Sequence, residues 1–130
     1  MENKNPRLSE SDIQTLILAW LLTQKFFVWR NKSEGTFDPL TGRRRAMNQV
    51  GAKKGVPDIL GILPDGRFLA IEVKTQTGKV SPEQGDFIRQ ANTLGGLALV
   101  ARSLDDVKAH LEDYIHGRRD PDGRVPQSAT

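Results

Sequence analysis

The chain has 130 residues, of which 37% are hydrophobic and 27% charged, with a formal net charge of +3 and a pI of about 9.4; this is the profile of one ordinary folded domain. It has no cysteine, which excludes disulfides, thiolate chemistry and cysteine-based zinc sites, and only two histidines, His110 and His116, which argues against a multi-histidine metal centre. The longest apolar run, Leu16 to Leu22, has seven residues against the ~18–20 that a membrane span needs, and no signal-peptide core follows the polar start, so the expectation is a cytoplasmic protein with no membrane partner, working through carboxylates, amines and amides.

Residues 1–8 read as a flexible leader. Ser9 is an N-cap with Asp12 as its capping-box partner, which predicts a helix over 9–24. Its apolar residues, Ile13, Leu16, Ile17, Leu18, Trp20, Leu21 and Leu22, cover more than one face. Burial on two sides is therefore expected, as at a subunit interface. Phe26 to Trp29 is aromatic and β-branched and reads as a strand. Asn31 to Gly55, with Gly35, Pro39, Gly42 and Gly51 among polar and basic residues, reads as a long loop of the kind that often carries function. Within it Arg43, Arg44, Arg45, Lys53 and Lys54 stand without an intervening acid. Such a stretch is either a solvated loop or a grip on a polyanion.

Val56 to Lys74 predicts a β-hairpin turning at Pro64-Asp65-Gly66, where proline sets φ for the first turn position and glycine accepts the left-handed conformation. Ser81-Pro82-Glu83-Gln84 starts a helix that runs to about Leu94 and stops at Gly95-Gly96. Leu97 to Ala101 is continuously apolar and predicts a strand buried on both faces. Ser103 with Asp106 caps a last helix ending near His116, and 117–130 reads as a flexible tail. The folded domain is thus 9–116. The order helix, strand, hairpin, helix, strand, helix predicts an α/β fold with a mixed central sheet flanked by helices.

The hairpin holds the residues with chemistry. Glu72 and Lys74 are two apart on one strand and share a face, while Ile71 and Val73 take the other. With a three-residue loop, Leu63 pairs with Arg67, and counting back along both strands brings Asp58 opposite Glu72. Directly opposed like charges destabilise a hairpin. A hard divalent cation such as Mg²⁺ between the two carboxylates removes that repulsion. Lys74 beside it can position or deprotonate a water or stabilise charge on a phosphate. The same three side chains also fit a plain surface ion-pair cluster. Glu10 heads the helical stripe Ile13, Ile17, Leu21, and Gln84 heads Phe87, Ile88, Ala91. Each is a polar side chain at the top of an apolar stripe, aimed at the core edge where a site can sit. Each also has a local role, Glu10 at a helix N-terminus and Gln84 in a capping box.

Gly55-Val56-Pro57-Asp58-Ile59 followed by Ile71-Glu72-Val73-Lys74 resembles the PD-(D/E)xK nuclease signature. The preceding basic residues, Gly66-Arg67-Phe68, Gly78-x-x-Ser81-x-x-Gln84 and Gly95-Gly96 extend this to a resemblance to the VRR-NUC family, over roughly Glu10 to Ile115. The resemblance implies a restriction-endonuclease-like αβββαβ core and cleavage of DNA phosphodiesters with Mg²⁺ or Mn²⁺, without a nucleotide cofactor. It implies Asp58, Glu72 and the Val73 backbone carbonyl as metal ligands, with Glu10 completing the metal site. Lys74 is then the catalytic lysine, and Gln84 matches the glutamine of the second core helix. Arg43, Arg44, Arg45, Lys53 and Lys54 are expected to hold DNA phosphates without reading sequence. Stand-alone members are similar to Holliday-junction resolvases, which implies a homodimer acting on four-way junctions. A nucleic-acid-binding module without turnover is the alternative that the basic loop and net charge allow, and an α/β interaction protein whose acids and lysine merely pair is a third.

Overall fold

The computed structural model describes residues 7–32 and 50–116. Most of the expected leader, the loop segment holding Arg43, Arg44 and Arg45, and the tail 117–130 lie outside the described residues. In chain order the elements are α1 (Glu10–Thr23), β1 (Phe27–Arg30), β2 (Ile59–Ile62), β3 (Phe68–Val73), α2 (Pro82–Thr93), β4 (Leu97–Ala101) and α3 (Leu104–His116). This is the α/β order that the sequence predicts.

Local chemistry sets the boundaries. Ser9 caps α1: its hydroxyl accepts from the Asp12 amide at 3.0 Å, and the Asp12 carboxylate accepts from the Ser9 amide at 3.2 Å. Ser81 and Gln84 form the same reciprocal pair at the start of α2, at 3.1 and 2.9 Å. Each box satisfies two amides that a helix start otherwise leaves unpaired. In the hairpin turn the Gly66 amide donates to Leu63 O and the Leu63 amide to Arg67 O, both at 2.8 Å. Gly66 sits at φ +89°, which glycine adopts without the Cβ penalty.

The strands lie in the order β1-β2-β3-β4. β1 to β3 are antiparallel neighbours, and β4 runs parallel to β3 after the crossover through α2. Ile59 pairs with Ile71 and Ile62 with Phe68, which is the hairpin register counted from the turn. The sheet separates two environments. Ile59, Leu69, Ile71, Val73, Leu99 and Ala101 pack with Ile13, Ile17 and Leu21 of α1 and Val107, Leu111 and Tyr114 of α3 into the main core. Burial of each large aliphatic side chain there contributes about 1.5–3 kcal/mol. The opposite face meets α2, where Phe68 and Phe87 bring their rings to 6.3 Å.

Two elements are less buried within one chain than their apolar content alone implies. Ile13, Ile17 and Leu21 are the buried stripe of α1, but Leu16 and Leu22 remain 48% and 54% exposed. Leu18 and Trp20 flank the stripe and are half-buried against the core, while Leu16 and Leu22 lie on the open side of the helix. β4 is an outer strand of the sheet, and Leu97 and Val100 keep partial exposure. A continuous apolar run therefore overstates its burial.

Candidate active site

The residue that leads into β2 is the first anchor. Asp58 precedes the strand by one position, and its main chain is held by Asn31: the Asn31 amide donates to Asp58 O at 2.7 Å and its side-chain amide to Pro57 O at 3.2 Å. The Asp58 side chain then does what a strand carbonyl normally does. Its Oδ2 accepts the Val73 amide at 2.8 Å, continuing the β2–β3 pairing by one more bond. Upstream, Gly55 lies against the first turn of α2 at φ +76°. A Cβ there would stand 2.4 Å from Glu83 C and 2.7 Å from Gln84 N, so only glycine lets this segment seat on the helix.

Glu72 of β3 is 2% exposed. Its Oε2 accepts from Gln84 Nε2 at 3.0 Å and lies 3.7 Å from Lys74 Nζ. Its Oε1 is buried with no hydrogen-bond partner. Gln84 serves two neighbours at once. Its Oε1 accepts the Ser81 amide within the capping box, which fixes the orientation of the amide and leaves the NH₂ end for Glu72. A pocket of about 350 Å³ opens here, lined by Lys54, Gly55, Val56, Asp58, Glu72, Ser81, Glu83 and Gln84.

This environment holds the Glu72 carboxyl far above its ordinary value, at about 8. Burial is the main cause and the nearby Asp58 charge the next; Lys74 offsets part of the effect, the Glu10 charge adds to it, and Asp58 lies within hydrogen-bonding reach. A buried acid pushed towards its neutral form by desolvation and a second carboxylate is an arrangement that a bound cation would relieve. Two carboxylates and a strand carbonyl are the hard oxygen donors that Mg²⁺ and Mn²⁺ accept. Because a strand residue's N–H and C=O face the same neighbour, the Val73 carbonyl lies on the Asp58 side. The donor set fits a divalent metal.

The structure therefore brings Asp58, Glu72, Lys74 and Gln84 together. Glu10 is exposed in the first turn of α1 and reaches Glu72 through its charge alone. Among the described residues no three acidic, histidine or cysteine side chains form one cluster, and Glu10 stands apart from the Asp58–Glu72 pair. Helix phase puts Glu10 on the right side without setting its height over the sheet. Lys54 is exposed at the pocket. Lys53 instead lines a second groove with Arg67, Phe68 and Phe87. Asn31 was not expected. Extending the β1–β2 register one step past Arg30 and Ile59 identifies it, but that needs the pairing of strands far apart in sequence.

The VRR-NUC domain model matches residues 8–105. Among solved structures, a VRR_NUC domain protein superimposes with a TM-score of 0.63 at 24% sequence identity, over 85% of this chain and 90% of its own. No curated protein matches the sequence.

Proposed function

The chain belongs to the VRR-NUC family, a nuclease-type family, and from that premise we propose that it is a divalent-metal-dependent endonuclease hydrolysing DNA phosphodiester bonds. We further propose branched DNA such as four-way junctions as its preferred substrate, a homodimer as its active form and the cytoplasm as its place of action. The observation that carries the reading is the unpartnered, buried Oε1 of Glu72 beside Asp58 and Lys74.

In this reading Asp58, Glu72 and the Val73 carbonyl hold Mg²⁺ or Mn²⁺. When bound, the ion acidifies a water and neutralises charge on the phosphate. Gln84 orients Glu72 by holding Oε2, which leaves Oε1 as the oxygen that would serve the ion. Lys74 stabilises the negative charge that develops on the phosphate oxygens and keeps Glu72 ionised once the proton has left. Lys54, at the rim of the pocket, holds an adjacent phosphate, and Lys53 and the Arg43, Arg44 and Arg45 stretch hold the DNA backbone further out. Glu10 contributes through its charge.

The test adds purified protein to end-labelled four-way junctions and linear duplex with Mg²⁺ or Mn²⁺. Cleavage by wild type, lost in Glu72→Ala and Lys74→Ala, is expected, and symmetric paired nicks in the junction are the outcome for a dimeric resolvase. Binding of DNA without cleavage would identify a nucleic-acid-binding module instead.

A further inference from the structure

The chain leaves β3 just before Lys74 and enters α2 only at Pro82. The segment between them is irregular and contains one tight turn, in which the Gly78 amide donates to Thr75 O at 3.2 Å. Carbonyls outside any helix or strand ladder must find other donors. Here the donor is Arg102, the first residue after β4. Its Nη1 donates to Thr75 O at 2.6 Å and to Gly78 O at 2.7 Å, with Gln76 O further off at 3.4 Å. One guanidinium nitrogen thus gathers the carbonyls at both ends of the turn. Arg102 is itself fixed from behind. Its amide donates to the Asp106 carboxylate at 2.8 Å, and the Asp106 amide donates to Ser103 Oγ at 3.2 Å. The first turn of α3 therefore sets the backbone from which the arginine reaches out.

The same corner of the fold holds Lys74 from two sides. Ala101, the residue before Arg102, accepts the Lys74 amide at 3.0 Å. The turn that Arg102 gathers rests on the root of the lysine. A Cβ built on Gly78 would stand 3.2 Å from Thr75 Oγ1 and 3.5 Å from Lys74 Cβ, so the turn lies in close contact there. The Lys74 side chain is 13% exposed, and its Nζ lies 3.7 Å from Glu72 Oε2. A lysine carries its charge on a flexible four-carbon stem. Packing at the base of that stem removes part of the freedom that would carry the ammonium away.

We propose that Arg102 is a positioning residue for Lys74. It clamps the turn Thr75–Gly78 against the lysine stem and so keeps the ammonium beside Glu72, where it can meet the phosphate. The role rests on the nuclease reading above, in which Lys74 stabilises charge on that phosphate. The hydrogen bonds that Arg102 donates go to main-chain oxygens of the turn, so it acts through the turn and not on the reacting atoms. Precision of this kind has a large effect on rate, since a displacement of about 1 Å at a reacting group can cost on the order of a hundredfold.

The variants separate the donors of Arg102 from its stem. Arg102→Met keeps the stem and removes the donors; Arg102→Lys restores donors at a single nitrogen, which is all that the turn uses. Brief acetylation of the metal-free protein with acetic anhydride, mapped by mass spectrometry, reads how firmly Lys74 is held, with exposed Lys25 as the internal reference. In Arg102→Met, Lys74 is expected to acetylate faster relative to Lys25. Cleavage per folded molecule is expected to fall about tenfold or more, on the scale of losing an outer contact that orients a reacting group. Mn²⁺ binding, read by calorimetry, stays near wild type, because Asp58, Glu72 and Val73 are held by the hairpin. Arg102→Lys recovers most of both changes. Gly78→Ala crowds the turn against Thr75 and Lys74 from within; it shifts both readouts in the same direction by less and keeps the test decisive if Arg102→Met does not fold. An arginine that only braces the fold would lower the melting temperature and leave Lys74 acetylation and cleavage per folded molecule unchanged. That result, a loss of Mn²⁺ binding as large as the loss of cleavage, or no recovery with lysine would overturn the proposal. If wild type cuts DNA and Arg102→Met cuts equally well, the role of Arg102 fails and the nuclease reading stands. If wild type neither binds Mn²⁺ nor cuts DNA, the nuclease reading itself fails, and acetylation still decides whether Arg102 holds Lys74.

Discussion

The two sides of β3 are built on opposite logics. Leu69, Ile71 and Val73 point into a core sealed by α1 and α3, and each is fully buried among other apolar side chains. Glu72, one residue away on the same strand, is nearly as buried, yet it carries an acid with one oxygen unpartnered and another acid beside it. The first side stabilises the fold. The second works against it, because a desolvated carboxyl is held in a form and a place that water would not choose. Secondary structure alone does not distinguish them, since both faces belong to one regular strand. The two sides can therefore be perturbed separately.

The sharpest way to separate them is on the acid side. Asp58→Asn keeps an oxygen to accept the Val73 amide, so the fold should survive. Loss of one carboxylate should nevertheless lower DNA cleavage by about a hundredfold or more, on the scale of removing one electrostatic contact to a transition state. Circular dichroism melting and a junction-cleavage assay check the two halves of that expectation, and a variant that cuts normally would break the contrast. On the core side, Ile71→Ala should cost about 2–5 kcal/mol of stability, read by denaturant unfolding, while cleavage per folded molecule stays near wild type. Gly55→Ala acts on the seam between the sides. The left-handed backbone costs an alanine about 1–2 kcal/mol, and the clash with Glu83 should shift the segment leading to Asp58, so both the melting point and cleavage should fall.

The remaining effect is a pH slope. Glu72 has a pKa of about 8 in the fold against an ordinary 4.5. The folded state therefore holds that proton more tightly than the unfolded chain does. The contribution of Glu72 to the stability of the metal-free protein is fully present below pH 4.5 and is lost as pH rises through about 8. Glu72→Gln should flatten the decline, and Mn²⁺ should oppose it by taking the place of the proton. Thermal melts across this range, with and without metal, measure both; an unchanged slope in the variant would assign it to another group.

How much of this was legible depended on how local the determining physics is. The hairpin register followed from one turn, because Pro64-Asp65-Gly66 fixes the loop length and period-two alternation does the rest. The placement of Gln84 was legible for a similar reason: a capping box has one geometry, and the third helical residue that closes it also faces the sheet. What escaped depended on distant pairing. Asn31 holds Asp58 only because β1 lies beside β2. Leu16 and Leu22 are apolar, but the pattern of a helix does not reveal whether a neighbour exists to cover them. Asp58 was expected within a strand; it stands just outside, and its carboxylate substitutes for a backbone carbonyl.

The central claim, that Asp58 and Glu72 form a divalent-cation site, is tested most directly by calorimetric titration of the metal-free protein with Mn²⁺ near neutral pH, in buffers of different ionisation enthalpy. The account predicts binding accompanied by proton release, since the ion displaces the proton that Glu72 holds at that pH, and loss of both in Glu72→Gln. Absence of Mn²⁺ binding by the wild type, or equal binding by the variant, would contradict it.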